Sequence, residues 1–198
     1  MAYLNEAGLS EEEINAALYG IDDSQGSEEW HRRKLGKVSA SNVRKVVNRN
    51  RYGKPYAEYE KYMNELVAQR ITGKAKRFTS GPIEWGKESE PLAVEAYVDL
   101  TDNYVYETSF VEDDEIDNAG ASSDRLVNED GNLEVKCPNT DTFVKYVLDN
   151  KVPDIYYDQC MWQMYVNKKE WTDFVAHDPD ITDGTQVPGR GRPTSRAN

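Results

Sequence analysis

Apolar positions along the chain fall into blocks of helical and of alternating period. In AEYEKYMNELVAQRI, Tyr59, Tyr62, Met63, Leu66 and Ile71 recur at near-helical spacing and predict a helix. NVRKVV predicts a shorter helix that starts near Ser39 or Ser41. Upstream, Ser10-Glu11-Glu12-Glu13 reads as a capping box, with a helix to about Tyr19 that Gly20 ends. IDDSQGSEE, residues 21–29, reads as a linker. PIEWGKESEPLAVEAYVDLT predicts a helix over about 84–100, with Pro91 in conflict: it sits in the first turn of a helix starting near Ser89, or it marks a kink. YVYETSFVE, NAGASSD and NLEVKC are three strand candidates. Helices over about 140–150 and 154–167 follow, and then the strand WTDFVAH. The order α-β-β-β-α-α-β predicts an α/β domain with a central mixed β-sheet flanked by helices. From Asp178 the chain is rich in Gly, Pro, Thr and Asp and reads as a flexible tail. The organisation expected is an N-terminal helix and linker (1–27), a folded domain (28–177) and a tail (178–198).

Composition adds partners and exclusions. The hydrophobic share is only 38% over 198 residues, but 13 Tyr, 4 Trp and 4 Phe supply large buried surfaces. No run approaches the ~18–20 apolar residues of a membrane span, and the acidic N-terminus is no signal peptide, so a cytoplasmic protein is expected. Cys137 and Cys160 are too few for a four-cysteine zinc or iron–sulfur site, and His31 and His177 are too few for a histidine metal cluster. The net charge of -12 argues against a nucleic-acid partner until its distribution is read. Residues 31–77 hold fourteen Lys/Arg and three acids, a balance of +11, and the remainder carries -23. A basic segment in an acidic chain suits a phosphate backbone. A solvated basic face is the alternative.

Candidate chemistry lies in SSDRLVNEDGNLEVKC. Asp124 ends one strand, Asn128 to Asn132 form a turn around Asp130-Gly131, and the next strand carries Leu133 to Cys137. Alternation places Glu134 and Lys136 on one face and sends Leu133, Val135 and Cys137 into the core. A hairpin brings Asp124 beside Glu134, where two carboxylates repel unless a cation lies between them. A hard divalent cation such as Mg²⁺ suits these oxygens and would polarise a phosphate and activate water. Lys136 would orient or deprotonate that water, or offset phosphate charge. Glu90, on the helix ahead of the strands, is a further carboxylate for the site, with Glu88 and Glu95 as competitors. An ordinary surface hairpin carries the same E-x-K spacing.

Four collinear stretches resemble the lambda exonuclease and YqaJ-type viral recombination nucleases. Residues 30–41, WHRRKLGKVSAS, are similar to the family's W-x-x-x-R-x-G-x-[IV]-[TS]-A-S opening. Trp85-Gly86 with Glu90 resembles W-G-x-x-x-E, and Ser122-Ser123-Asp124 with LEVKCP, residues 133–138, resembles S-P-D and L-E-x-K-C-P. Residues 157–162, YDQCMW, lie where the family has a glutamine-bearing helix. The resemblance covers about residues 28–180. It implies a restriction-endonuclease-like core with metal held by Asp124, Glu134, the Val135 carbonyl and Glu90. Lys136 and Gln159 complete the catalytic set it implies, with Mg²⁺ as cofactor and Mn²⁺ as the alternative. It also implies 5′-to-3′ degradation of linear double-stranded DNA, leaving 3′ overhangs for a single-strand annealing partner, and a ring-shaped homotrimer. A 5′-phosphate pocket carries over to Lys34, Ser41 and Ser122.

This chain departs from the family in several places. Lys34 stands where the family has arginine and lacks the bidentate fork, for which Arg33 is the candidate substitute. Ser123 replaces the proline before Asp124, and Arg125 the glycine after it. Met161 falls where a second glutamine is usual, and Gln163 lies one turn after Gln159. The competing expectation is a catalytically weak or inactive DNA-end-binding accessory protein; a site-specific endonuclease is a third reading.

Overall fold

The computed structural model describes residues 22–76, 80–181 and 184–191; the helix expected over 10–19 lies outside them. The elements are α1 (Glu28–Lys34), β1 (Val38–Ser39), α2 (Ala40–Val47), α3 (Ala57–Thr72), α4 (Gly81–Thr101), β2 (Val105–Tyr106), β3 (Val111–Glu112), β4 (Ala119–Ala121), β5 (Arg125–Val127), β6 (Gly131–Lys136), α5 (Thr140–Asp149), α6 (Asp154–Asn167), β7 (Trp171–His177) and β8 (Thr185–Gly191).

The main sheet has the order β2-β5-β6-β7-β8, with β6 and β7 parallel and the other pairs antiparallel, so it is mixed. Its two faces follow from the alternation in β6 and β7. Leu133, Val135, Trp171 and Val175 face α4, which buries Ala93 and Tyr97 against them. Phe174 and Ala176 face the other way, toward Phe143 and Tyr146 of α5 and Cys160 of α6. Glu134 pairs in register with Phe174, so it shares the α6 face. A smaller sheet, β1-β4-β3, packs beside α6, where Trp162 Nε1 donates to the Gly120 carbonyl at 3.0 Å. This is the expected architecture, a restriction-endonuclease-like α/β core with a mixed sheet between helices.

Four local expectations change. The linker expected over 21–29 stops short of its predicted end, because α1 takes Glu28 and Glu29; at the helix cap Ser27 Oγ accepts from Trp30 N at 3.1 Å. Glu28 and Glu29 in its first turn and basic residues in its last complement the helix dipole. Only Trp30 of α1 is buried, so apolar periodicity carried no signal there. α4 begins at Gly81 and runs through Pro91 without ending; Pro91 is exposed, and the helix forgoes one backbone bond there. YVYETSFVE divides into β2 and β3 of different sheets, because Phe110 between them is fully buried and packs on Gly120. NAGASSD supplies only β4, so Asp124 lies in the loop before β5 and not at a strand end.

The expected flexible tail from Asp178 is corrected over its described part, where residues 185–191 form β8 along β7. Asp173 holds Arg190 of β8 through two bonds, at 2.6 and 2.8 Å. The glycines and proline that suggested a tail fit an edge strand. The strand carries a register shift opposite Phe174/Ala176. Gly189 lies so near the Lys151–Val152 backbone that a Cβ would stand 2.7 Å from Val152 N. Among the described residues no helix is long and apolar enough to cross a membrane. Both cysteines are free thiols.

Candidate active site

The β5–β6 hairpin brings Asp124 to β6. Asp124 N donates to the Leu133 carbonyl at 3.1 Å, and Asp124 Oδ2 accepts from Val135 N at 2.6 Å. The hairpin turns through Asn128, which adopts φ 48, and tightens at Gly131, where a Cβ would meet the Trp171 ring at 2.3 Å. On the α6 face of β6, Glu134 is 1% exposed. Its Oε1 accepts from Gln159 Nε2 and its Oε2 from Gln163 Nε2, each at 2.6 Å, and Lys136 Nζ makes a short ion pair with Oε1. Gln159 and Gln163 lie one helical turn apart on α6, so one helix face grips both carboxylate oxygens. Lys136 Nζ also donates to the Val135 carbonyl at 3.0 Å.

Charge shapes this cluster. Burial, and then the Asp124 carboxylate, push the Glu134 carboxyl up to about 7 against the pull of Lys136. Burial works to lower the Lys136 ammonium, but Glu134 and Asp124 outweigh it and raise it above the ordinary lysine value. Glu90 is raised by burial and by Asp124. It comes from α4 and meets Arg125 Nη1 at 3.1 Å; the same nitrogen donates to the Asp124 carbonyl.

The other predicted residues divide. Trp30 Nε1 donates to Ser122 Oγ at 3.1 Å, and Lys34 Nζ lies 4.3 Å from the centre of the Trp30 ring, so Trp30 joins Lys34 to Ser122. Burial lowers the Lys34 ammonium against the attraction of Glu134 and Asp124. Arg33 does not join them: its Nη1 is committed to Asp23 at 2.9 Å and Ser109 at 3.3 Å. Ser41 is exposed on α2, within 3.3 Å of Ser39 Oγ. Glu88 and Glu95, the competitors of Glu90, are both exposed. An open cavity of about 1080 Å³ runs between α1, α3 and α4, lined by Lys34, Lys37, Lys76 and Lys87 among others and reaching the Glu90 carboxylate and Arg125. Two residues at the site were not among the candidates. Gln25 Nε2 lies 3.4 Å from Asp124 Oδ1, and it came from a stretch read as linker. Arg125 was legible only as a departure from the family's glycine.

Among the described residues no three His, Cys, Asp or Glu side chains are gathered as a metal site. The donors nevertheless have the right chemistry, since carboxylate and carbonyl oxygens suit a hard divalent cation. Cationic side chains stand on them: Lys136 on Glu134 and the Val135 carbonyl, Arg125 on Glu90.

The YqaJ-like viral recombinase domain matches residues 29–173. The chain belongs to this family. Of solved structures, it is similar to an alkaline exonuclease, LHK-Exo from Laribacter hongkongensis, at 33% identity and a TM-score of 0.76, covering 84% of this chain and 82% of that one. LHK-Exo in complex with dAMP is similar at 35% identity and a TM-score of 0.73, covering 79% and 77%. A phage-related exonuclease from Haemophilus somnus 129PT shares the fold at 14% identity and a TM-score of 0.56, covering 72% and 68%. No curated protein matches the chain significantly. The match to the YqaJ-like domain begins one residue after α1 starts and leaves Gln25 outside it.

Proposed function

We propose that this YqaJ-like protein is a divalent-metal-dependent exonuclease that degrades linear double-stranded DNA from 5′ ends and leaves 3′ overhangs. The observation that carries the reading is the joining of Asp124, Glu134 and Lys136 through the β5–β6 hairpin, next to Glu90 and Arg125, which line a cavity that four lysines also line. Kinship with alkaline exonucleases supports it, and dAMP, held by one of them, is the kind of unit that stepwise hydrolysis of DNA would release.

Asp124, Glu134, the Val135 carbonyl and Glu90 would hold the cation, Mg²⁺ or alternatively Mn²⁺. When bound, that ion polarises the phosphate and makes water a better nucleophile. Gln159 and Gln163 orient the Glu134 carboxylate. Lys136, held on Glu134 and the Val135 carbonyl, would orient or deprotonate the attacking water, or place positive charge where a phosphate gains negative charge. Lys34, set against Trp30 and linked through it to Ser122, offers a point charge for a 5′-terminal phosphate. A single-strand annealing protein would take up the 3′ overhang, and a homotrimer is the assembly that the family resemblance implies.

Linear duplex DNA with 5′-phosphate or 5′-hydroxyl ends, incubated with Mg²⁺ beside a covalently closed circle, tests this. Mononucleotide release from the linear DNA alone is expected. End binding without release would favour the second reading, an accessory protein with an idle site.

Cation binding should also depend on pH. With Glu134 pushed up to about 7, protons compete for its oxygens below that value, so apparent Mg²⁺ affinity should fall about tenfold per pH unit beneath it. Without metal, the folded protein keeps a proton that the unfolded chain releases between about 4.5 and about 7, so stability should fall as pH rises through that window. Thermal melting with and without Mg²⁺ at pH 5.5 and 8 reads both. A Mg²⁺-induced rise in Tm of equal size at the two pH values would contradict the assignment.

A further inference from the structure

We infer that Arg125 is a DNA-phosphate-binding residue of the cavity and grips a phosphate through the Nε–Nη2 edge of its guanidinium. The inference rests on the nuclease reading and adds a substrate contact to it. Arg125 follows Asp124 directly at the start of β5, and its side chain is 20% exposed. Nη1 is anchored twice, on Glu90 Oε1 at 3.1 Å and on the Asp124 carbonyl. Among the described residues, Nε and Nη2 make no hydrogen bond. These two nitrogens form the side-on fork of arginine, spaced to meet two oxygens of one phosphate.

Two further features favour a ligand over a passive counter-ion. Neutralising Glu90 needs only a point charge, which a lysine supplies, whereas this site spends one corner of a planar group on Glu90 and leaves the fork. The anchoring also fixes the guanidinium before substrate arrives, which lowers the ordering cost of binding. Arg125 is the one arginine among the described residues lining the cavity; the other formal cations there, Lys34, Lys37, Lys76 and Lys87, are point charges. Its place beside Asp124 puts the gripped phosphate at or next to the bond to be cut.

The test is fluorescence anisotropy of a dye-labelled linear duplex with the whole protein in EDTA, where no hydrolysis occurs, over a series of salt concentrations. Arg125→Gln is expected to weaken binding about tenfold and to reduce the magnitude of the slope of log K against log salt by about 0.9, one phosphate contact. Arg125→Lys is expected to keep most of the slope and still bind several-fold more weakly, because the charge remains and the fork is gone. Thermal melting checks that both variants fold. An unchanged slope and affinity within twofold for Arg125→Gln overturns the inference. If that variant fails to fold, wild-type affinity in Arg125→Lys overturns the bidentate grip. The nuclease reading fails separately: wild-type protein with an Arg125-dependent slope but no nucleotide release under Mg²⁺ sinks the hydrolysis and leaves the phosphate contact standing.

Discussion

Asp124→Asn is expected to lower the single-turnover rate of linear duplex hydrolysis in Mg²⁺ by about 10³-fold or more, the loss that follows from several kcal/mol of cation-derived transition-state stabilisation. The fold should survive. Asp124 Oδ2 accepts the Val135 amide at 2.6 Å, and an asparagine oxygen can accept the same bond. What disappears is the charge proposed to hold a cation, which also helps to raise Glu134. Two measurements separate these effects: quenched-flow hydrolysis, and a circular dichroism melt in EDTA. A variant within tenfold of wild-type rate would remove Asp124 from the catalytic set. Lys136→Ala should abolish cleavage in the same assay, since the ammonium that bridges Glu134 and the Val135 carbonyl is lost.

Phe174→Ala should cost about 3–5 kcal/mol of unfolding free energy, the range for emptying a buried aromatic site. Phe174 is fully buried in β7, stacked on Tyr156 with ring centres 5.4 Å apart and edge-on to Tyr146 at 5.9 Å. Three rings from α5, α6 and β7 thus close the core on the face that carries Glu134. Against a total stability of about 5–15 kcal/mol for a typical domain, the loss is large. Urea unfolding without metal measures it, and Phe174→Leu, which keeps most of the volume, should cost about 1 kcal/mol. The effect should reach the site, because Lys136 Nζ lies 5.3 Å from the centre of the Tyr156 ring that Phe174 supports. An alanine variant that loses under 1 kcal/mol would show that the site collapses around the gap more readily than three packed rings allow.

Where a pattern repeats over enough residues, the sequence announced it. The period of two in β6 put Glu134 and Lys136 on one face and Leu133 and Val135 on the other. The helical period of AEYEKYMNELVAQRI located α3. Elements too short to show a period were missed or merged: α1, which buries one residue, was missed, and β2 and β3, two residues each, were read as one strand. β8 was hidden for a different reason, since its composition mimics a tail and its glycines fit only against particular neighbours, β7 and the Lys151–Val152 backbone. At the site, the resemblance singled out Glu90, but its pairing with Arg125 depends on how α4 crosses the sheet, which residue spacing does not encode. Arg33 and Lys34 are adjacent in sequence, yet one is committed to Asp23 and the other faces the cavity. Helical rotation separates neighbours that a motif treats as interchangeable.

Among the described residues, β8 is the outer strand on one side of the main sheet and β2, two residues long, is the outer strand on the other. An outer strand with free amides is a template for another chain. The register shift interrupts the regular ladder of β8, and Arg190 sets a charged group near its end. At the opposite margin two residues offer too little length for an intruding strand to grip. Both margins are thereby blunted, and the sheet should resist growing by strand addition even at the high concentrations at which a protein is overproduced, so its losses on expression should come from unfolding and not from ordered stacking of folded copies.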